Sequence, residues 1–509
     1  MPIPLPPPNA RPVGYTHLTQ QSGIRALPQH VQFYVSDTHV RKDQTVDGFQ
    51  RRIIPITQWP GDDTYSQFKF ALRYEGLNFG VLRAVIPKLD PLQLTADIRS
   101  EPHGAYARRI WFLYEKLTGR ELDLPDLATG NYLPLADPEI YYTGPIRRSP
   151  RHRIQANLLG DLSFCFMIRR TDELTAADGE NYELACQNLM QDSSPELFDR
   201  ALDYLYKKET KSSFAIERET PDQRRAAIFV RLLKESDHQD YFQKASLVGL
   251  QNAIVDPRFS NSGWRSSITP PEQNFVSGRN APNLEGIHFI PPRPQEIESL
   301  MNGWLEASRI ALNSDAPAVV VAAAIAWAFV FLHPFSDGNG RIHRFLIHHV
   351  LAKRGVAPRG LIFPVSAAMQ RDPRAYDASL EAFSRPLMDL LEWTMDDDRN
   401  LEVQGDSSDF YRAIDYTPMA AALYRFVQRT VEHDLPDELA YLRGYDTARK
   451  AMREVVDLPD PVAERFIQFC RQNDWKLSSA KRNTGGLDKL TDEQVASMEA
   501  VLQSAFVAP

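Results

Sequence analysis

The sequence predicts a mainly α protein: a helical core carrying a β-hairpin, an N-terminal domain of mixed character and a helical C-terminal tail. Three observations predict it. Apolar residues recur at helical spacing through much of the chain. Residues 316–332 are a nearly unbroken apolar run of 17, closed by His333-Pro334. The last hundred residues break into amphipathic pieces at 419–431, 461–472 and 491–506. A turn signal at Ser193-Ser194-Pro195 and the break at Asp396-Asp397-Asp398 divide the chain into 1–192, 193–400 and 401–509.

Taken in order, the chain opens with six prolines in its first twelve residues, an extended arm. Gln32-Phe33-Tyr34-Val35 is a short extended candidate. From Tyr65, the apolar positions Phe68, Leu72, Leu77, Leu82 and Val85 follow helical spacing. Ile110, Trp111, Leu113, Tyr114 and Leu117 mark a second helical stretch, with Gly119 as its C-cap. No chemical constellation lies in this first third, which reads as scaffold. Ser193-Ser194-Pro195 signals a turn, and a helix runs from Pro195 to Lys208. A short polar break separates it from Ser212-Ser213-Phe214-Ala215-Ile216-Glu217. Phe275-Val276 and Ile287-His288-Phe289-Ile290 flank a polar stretch and read as a hairpin. A helix over 295–312 follows, then the apolar helix, a loop at His333 and a helix through Leu351. Asp396-Asp397-Asp398 marks the break near 400.

Composition narrows the function. The 509 residues carry 58 Lys and Arg against 66 Asp and Glu, a formal charge of −8. That balance, and a tail that is not strongly basic, disfavour nucleic acid as the partner. Cys165, Cys186 and Cys470 are too few for a disulfide scaffold or zinc site. The apolar run is short of the roughly 20 residues that a membrane span needs. The N-terminus has no basic n-region or apolar h-region. The expectation is a cytoplasmic enzyme or regulator with no membrane partner.

The informative string is His333-Pro334-Phe335-Ser336-Asp337-Gly338-Asn339-Gly340-Arg341-Ile342-His343-Arg344. A long helix ends at a His-Pro step, because proline cannot continue the ladder. The chain then turns through residues that accept unusual dihedrals and bare their backbone N–H groups. A new helix starts with Arg341 and Arg344 on its first turns. Glycine-rich turn, helix N-terminus and two guanidinium groups together make an anion site. A carboxylate at Asp337 inside a phosphate site needs a cation between them, which points to Mg²⁺. His333, on the opposite lip, is the side chain best placed to accept a proton at neutral pH. The Asp-Gly-Asn-Gly tetrapeptide alone would be ordinary turn chemistry, with Asp337 a helix N-cap.

The complete string resembles the signature of the Fic family (Fic/Doc superfamily), His-x-Phe-x-Asp/Glu-Gly-Asn-Gly/Lys-Arg-x-x-Arg, at every fixed position. The similarity extends over about 212–393, and the flanks resemble those of large bacterial proteins of the family. The resemblance makes the core Fic-type, with the catalytic loop at 333–344. It implies a nucleotidyltransferase that moves AMP from Mg-ATP to a Ser, Thr or Tyr hydroxyl of a protein, pyrophosphate leaving. His333 would be the general base and Asp337 the Mg²⁺ ligand. Gly338, Asn339 and Gly340 would bind phosphates, with Arg341 on the β-phosphate and Arg344 on the γ-phosphate. Pro334 and Phe335 would shape the loop. Gly340 favours nucleotide transfer, since the kinase-like Doc branch carries Lys there.

A second resemblance lies in Ser213-x-x-x-Glu217, similar to the family's inhibitory helix Ser/Thr-x-x-x-Glu-Gly/Asn, here about 212–218. Spacing of i,i+4 sets both side chains on one helix face, and the resemblance has Glu217 occupying Arg344. Arg218 departs from the usual Gly or Asn. The hairpin at about 274–290 resembles the family's flap, with Phe275, Val276, Ile287 and Phe289 docking the target beside the loop. Tyr376 and Ser384 would lie near the nucleotide base. His343, His348 and His349 do not share a helix face and read as packing, not a metal cluster. Other readings stay open: transfer of UMP, phosphocholine or a phosphoryl group, removal of AMP with Glu217 orienting a water, or a binding regulator with little turnover. The protein target stays open, self-modification included, as does a homo-oligomer.

Overall fold

The computed structural model describes residues 7–27, 29–37, 41–46, 49–191, 194–267, 273–277, 286–356 and 360–506. The chain folds into two compact units. One comprises 1–180, 210–356 and 365–426, the other 181–209, 357–364 and 427–509. These do not follow the expected divisions at 192 and 400. The reason is packing that composition does not reveal. Strand Leu401–Val403 pairs with Trp393–Met395, and Leu401 and Val403 pack against Ile290. Ser407 donates to the Glu296 carboxylate through N (2.9 Å) and Oγ (2.7 Å), and Tyr411 Oη donates to the Ile290 carbonyl (2.6 Å). The acidic triplet is only the turn of that hairpin, where Asp396 Oδ1 accepts from Asn400 N (2.7 Å).

The first unit is centred on the helix Ala318–Leu332, whose residues are buried almost without exception. An apolar helix without a polar face can be stable only inside a core. Helices Pro294–Leu312 and Asn339–Lys353 pack against it. Trp304 Nε1 donates to the Ile325 carbonyl (3.1 Å) and Trp327 Nε1 to Ser379 Oγ (3.1 Å), so both buried indoles are satisfied. The helix Pro373–Met388 covers one side through Phe383 and Tyr376. No described helix is long and apolar enough to cross a membrane.

The N-terminal portion of this unit is mixed, as its proline-punctuated start predicts. A four-stranded sheet runs in the order Ala10–Pro12, Val31–Ser36, Phe49–Pro55, Lys42–Val46. Val31–Ser36 pairs parallel with Phe49–Pro55. Helices Thr64–Tyr74, Phe79–Val85 and Ala105–Thr118 enclose a core that includes Phe68, Leu82, Ile110 and Trp111. Gly119 caps the last of these in the left-handed region, φ 69°, a conformation that residues with a side chain rarely adopt.

In the second unit, helices Leu435–Val455, Asp460–Arg471 and Asp492–Phe506 share a core of Met452, Phe466, Ile467, Met498 and Leu502. The polar break expected after Lys208 is absent. One continuous helix, Pro195–Ile216, begins in the second unit and ends in the first. Its polar run 207–213 is accommodated because Lys208 pairs with the buried Asp434 at 2.8 Å and Ser213 is buried. Cys165, Cys186 and Cys470 are all buried free thiols.

Candidate active site

The apolar helix stops at His333, which takes the left-handed C-cap conformation, φ 48° and ψ 57°. For a residue with a Cβ this is strained by about 1–2 kcal/mol, so neighbours must impose it. Buried Arg265 does so. Its N–H donates to the Pro334 carbonyl (2.7 Å) and its Nε to the His333 carbonyl (2.9 Å). His333 Nδ1 lies 3.3 Å from the Val330 carbonyl. A carbonyl only accepts, so Nδ1 carries the hydrogen and Nε2 keeps its lone pair. Burial, and then the Arg265 charge, push the His333 pKa down to about 4 against the opposing pull of the Val330 carbonyl, Glu217 and Asp337. The imidazole is therefore neutral at physiological pH and able to accept a proton.

Loop residues beyond His333 are pinned from below. Phe335 is fully buried against Trp264 and Phe329. The Asn339 side chain bonds back within its own loop. Its Nδ2 donates to the Phe335 carbonyl (2.8 Å) and its Oδ1 accepts from Phe335 N (3.0 Å), so the amide closes the loop. Gln251 Nε2 donates to the Asp337 carbonyl (3.2 Å) and Asn274 Nδ2 to the Phe335 carbonyl (3.1 Å). Gly338, φ 90°, is the N-cap of helix Asn339–Lys353, and its N–H donates to Asp337 Oδ1 (2.6 Å).

Two guanidinium groups stand on this helix, both almost inaccessible to solvent. Arg344 Nε donates to Ser213 Oγ (3.0 Å). Its Nη2 donates to the Ser213 carbonyl (2.7 Å) and to Glu217 Oε1 (2.8 Å). Tyr376 is buried close to the same guanidinium, and burial pushes its pKa up to about 12. Ser384 is buried about two turns further along the helix Pro373–Met388. Arg341 Nη2 donates to Asp337 Oδ1 (2.8 Å), and its Nη1 donates to Glu219 Oε2. The Glu217 carboxylate lies directly over Gly340: a Cβ there would fall 2.0 Å from Oε1. Any longer side chain at 340 would expel Glu217 from its seat.

Arg218 solves the end of the helix Pro195–Ile216 in an unexpected way. It adopts φ 60°, the left-handed conformation that Gly or Asn accepts most easily. Its N–H donates to the Ala215 carbonyl (2.9 Å) and the Glu219 N–H to the Phe214 carbonyl (3.0 Å). This is the paired bonding of a Schellman turn. The turn fixes Glu217 and Glu219 at the two arginines. Sequence reading missed Glu219, Arg265 and Gln251, because none belongs to the motif. The one signal that could have found Glu219 is the Arg218 position, where Gly or Asn is usual and a left-handed residue would turn the chain back.

The hairpin is short: Val276–Ser277 pairs antiparallel with Ile287–Phe289. Part of the expected flap, 278–285, lies outside the described residues. The Phe289 side chain is buried against Phe331 and Phe383, so it anchors the hairpin to the core and is not a docking surface. Phe275 and Ile287 pack beside Ile290. Val276 is exposed. His343 is fully buried at 4.5 Å from the Trp327 ring, and burial lowers its pKa to about 3. Among the described residues no group of three or more His, Cys, Asp or Glu could hold a metal. Asp337 is part-exposed beside the arginines. Mg²⁺ commonly takes one or two carboxylates and completes its shell with phosphates and water, and a lone carboxylate at an anion cradle fits that chemistry.

Residues 236–351 match the Fic/DOC family model. A 117-residue stretch is 33% identical to the protein adenylyltransferase Fic of Culex quinquefasciatus, covering 21% of this chain and 22% of that protein. Another of the same name, from Nematostella vectensis, is 36% identical over 76 residues, 14% of this chain and 16% of its own. The matched stretch thus spans about a fifth of these curated relatives. A solved Fic family protein from Desulfovibrio desulfuricans G20 covers 67% of this chain and 85% of its own at 16% identity and a TM-score of 0.34.

Proposed function

Since residues 236–351 form a Fic/DOC-family domain, we propose that the chain is a self-inhibited protein adenylyltransferase. It transfers AMP from Mg-ATP to a Ser, Thr or Tyr hydroxyl of a protein target. The observation that carries this is the neutral His333, its bare Nε2 on the same loop as two buried guanidinium groups at a helix N-terminus. Nε2 takes the proton of the target hydroxyl. The hydroxyl oxygen forms a bond to the α-phosphorus while the bond from that phosphorus to the bridging oxygen breaks. Pyrophosphate carries the displaced charge away. Arg341 and Arg344 hold the β- and γ-phosphates and stabilise that charge, so catalysis is chiefly positioning and electrostatics. Asp337 would hold the Mg²⁺, which neutralises phosphate charge when bound.

Wild-type protein is held back because Glu217 occupies Arg344. ATP then binds with its γ-phosphate excluded and its α-phosphorus out of line with the hydroxyl. The Gly340 space, filled by the Glu217 carboxylate, supports nucleotide transfer over the Lys-bearing phosphoryl-transfer branch. Buried free thiols support a reducing, cytoplasmic setting. The test incubates Glu217→Gly protein with α-labelled and with γ-labelled ATP and Mg²⁺. Covalent label from the α position is expected. Label from the γ position alone would make the protein a kinase and overturn the proposal.

A further inference from the structure

The cradle holds two cations, and each already carries an acid. Arg344 is paired with Glu217 at 2.8 Å, the contact that the family resemblance implied. Arg341 is paired with Asp337 and also with Glu219. Glu219 comes from outside the catalytic loop, reaches its position through the Schellman turn at Arg218, and remains a third exposed. A third guanidinium stands near the same carboxylate oxygen of Glu219. Arg225 Nη1 is 3.6 Å from Glu219 Oε2, is itself buried, and makes no hydrogen bond among the described residues. The other arm of Arg225 is committed: its Nε donates to Asp222 Oδ2 (3.2 Å), the N-cap of helix Gln223–Lys234. Arg341 and Arg225 both lie against the ring of Phe214, 5.3 and 5.9 Å from its centroid. Glu219 therefore sits between two cations that share one aromatic ring, bonded to one and within a small rotation of the other.

We propose that Glu219 is a second inhibitory acid, occupying the β-phosphate seat on Arg341, and that Arg225 receives it when a nucleoside triphosphate displaces it. The proposal rests on the reading of Arg341 and Arg344 as phosphate seats. Its physical reason is charge. A β-phosphate arriving at Arg341 meets a carboxylate already hydrogen-bonded there, and one of the two anions must leave. Without a receiving cation Glu219 would be stranded beside the phosphate. Arg225 supplies a place with a free N–H, so displacement exchanges one charge-assisted bond for another. Removal of Glu217 alone empties one seat of two. The full affinity for Mg-ATP then requires Glu219 to move as well.

The test is Mg-ATP binding by calorimetry with purified full-length protein, beside the α-label transfer assay. In the Glu217→Gly background, Glu219→Gln should tighten Mg-ATP by about tenfold, the scale of one charged hydrogen bond. It should leave AMP, which has no β-phosphate, bound as before. Arg225→Gln should weaken Mg-ATP when Glu219 is present and have no effect when residue 219 is Gln. That non-additivity separates a receiving role from simple support of the helix cap. Thermal unfolding of each variant checks that the fold is intact. Equal Mg-ATP affinity of Glu217→Gly with and without Glu219→Gln would overturn the proposal, as would an Arg225→Gln effect that persists in Glu219→Gln. Should Glu217→Gly bind Mg-ATP and transfer the α label in that case, the adenylyltransferase reading stands and only the second acid falls. If no variant binds Mg-ATP, the phosphate-seat reading itself is wrong, and this proposal with it.

Discussion

At the scale of residues, His333 and Arg218 both hold left-handed conformations, and the two are held for different reasons. His333 is clamped by Arg265 through its own carbonyl and that of Pro334. His333→Ala should abolish transfer, by about 10² to 10⁴ in rate for lost base catalysis, with an unchanged melting temperature. An equally stable variant with parental activity would refute the assignment. The acid limb of the transfer rate should lie well below pH 6.5, because the folded pKa is near 4. The sign follows: a His pKa depressed on folding means that the neutral form is the native one, so its contribution to stability is complete above pH 6.5 and is lost as pH falls towards 4. Arg218 is strained only to complete the turn. Arg218→Gly should stabilise the protein by about 1 kcal/mol in chemical denaturation and leave wild-type transfer as low as before. An increase in transfer would mean that the Arg218 side chain itself is inhibitory.

At the scale of elements, the site is a helix N-terminus met by a helix C-terminus. Positive dipole end and two arginines belong to Asn339–Lys353, while the acids come from the end of Pro195–Ile216. Glu217→Gly should raise self-modification, and Arg344→Ala in the same chain should bring it back towards the inactive level. Strong non-additivity in radiolabel assays is the expected signature of residues in contact. Asp337→Ala should remove most of the Mg²⁺-dependent activity and much of the Mg-ATP binding. Activity indifferent to both the mutation and a chelator would exclude the metal role. The hairpin separates two functions by burial. Phe289→Ala should cost about 3–5 kcal/mol by opening a cavity among Phe331 and Phe383. Val276→Asp should leave stability within about 0.5 kcal/mol. If the hairpin edge guides a target, this exposed change lowers transfer to that target while Mg-ATP affinity holds.

At the scale of the whole molecule, two compact units share one helix. Calorimetry should resolve their unfolding when one unit is selectively weakened. Lys208→Met leaves the Asp434 carboxylate buried without its 2.8 Å ammonium partner. A loss of about 3 kcal/mol should appear in the transition of the second unit, and a single transition that moves as one would show that the units unfold together.

The apolar run, the His-Pro stop and the glycine turn determine a buried helix, a loop and a new helix that carries the paired arginines on its first turns, from local chemistry alone. Those residues say what they are because period, capping and dihedral preference act over a few positions. Spacing likewise put Ser213 and Glu217 on one face. What spacing could not supply was the company each residue keeps. Asn339 became a loop clasp because Phe335 turns back within reach. Phe289 left the docking surface because two other aromatic rings meet it. Glu219 and Arg225 joined the cradle because a left-handed residue reversed the chain. The domain boundary at 400 failed because Glu296, 111 positions from Ser407, needed hydrogen bonds in the interior. Such pairings join groups far apart in sequence, and burial, not local preference, selects them.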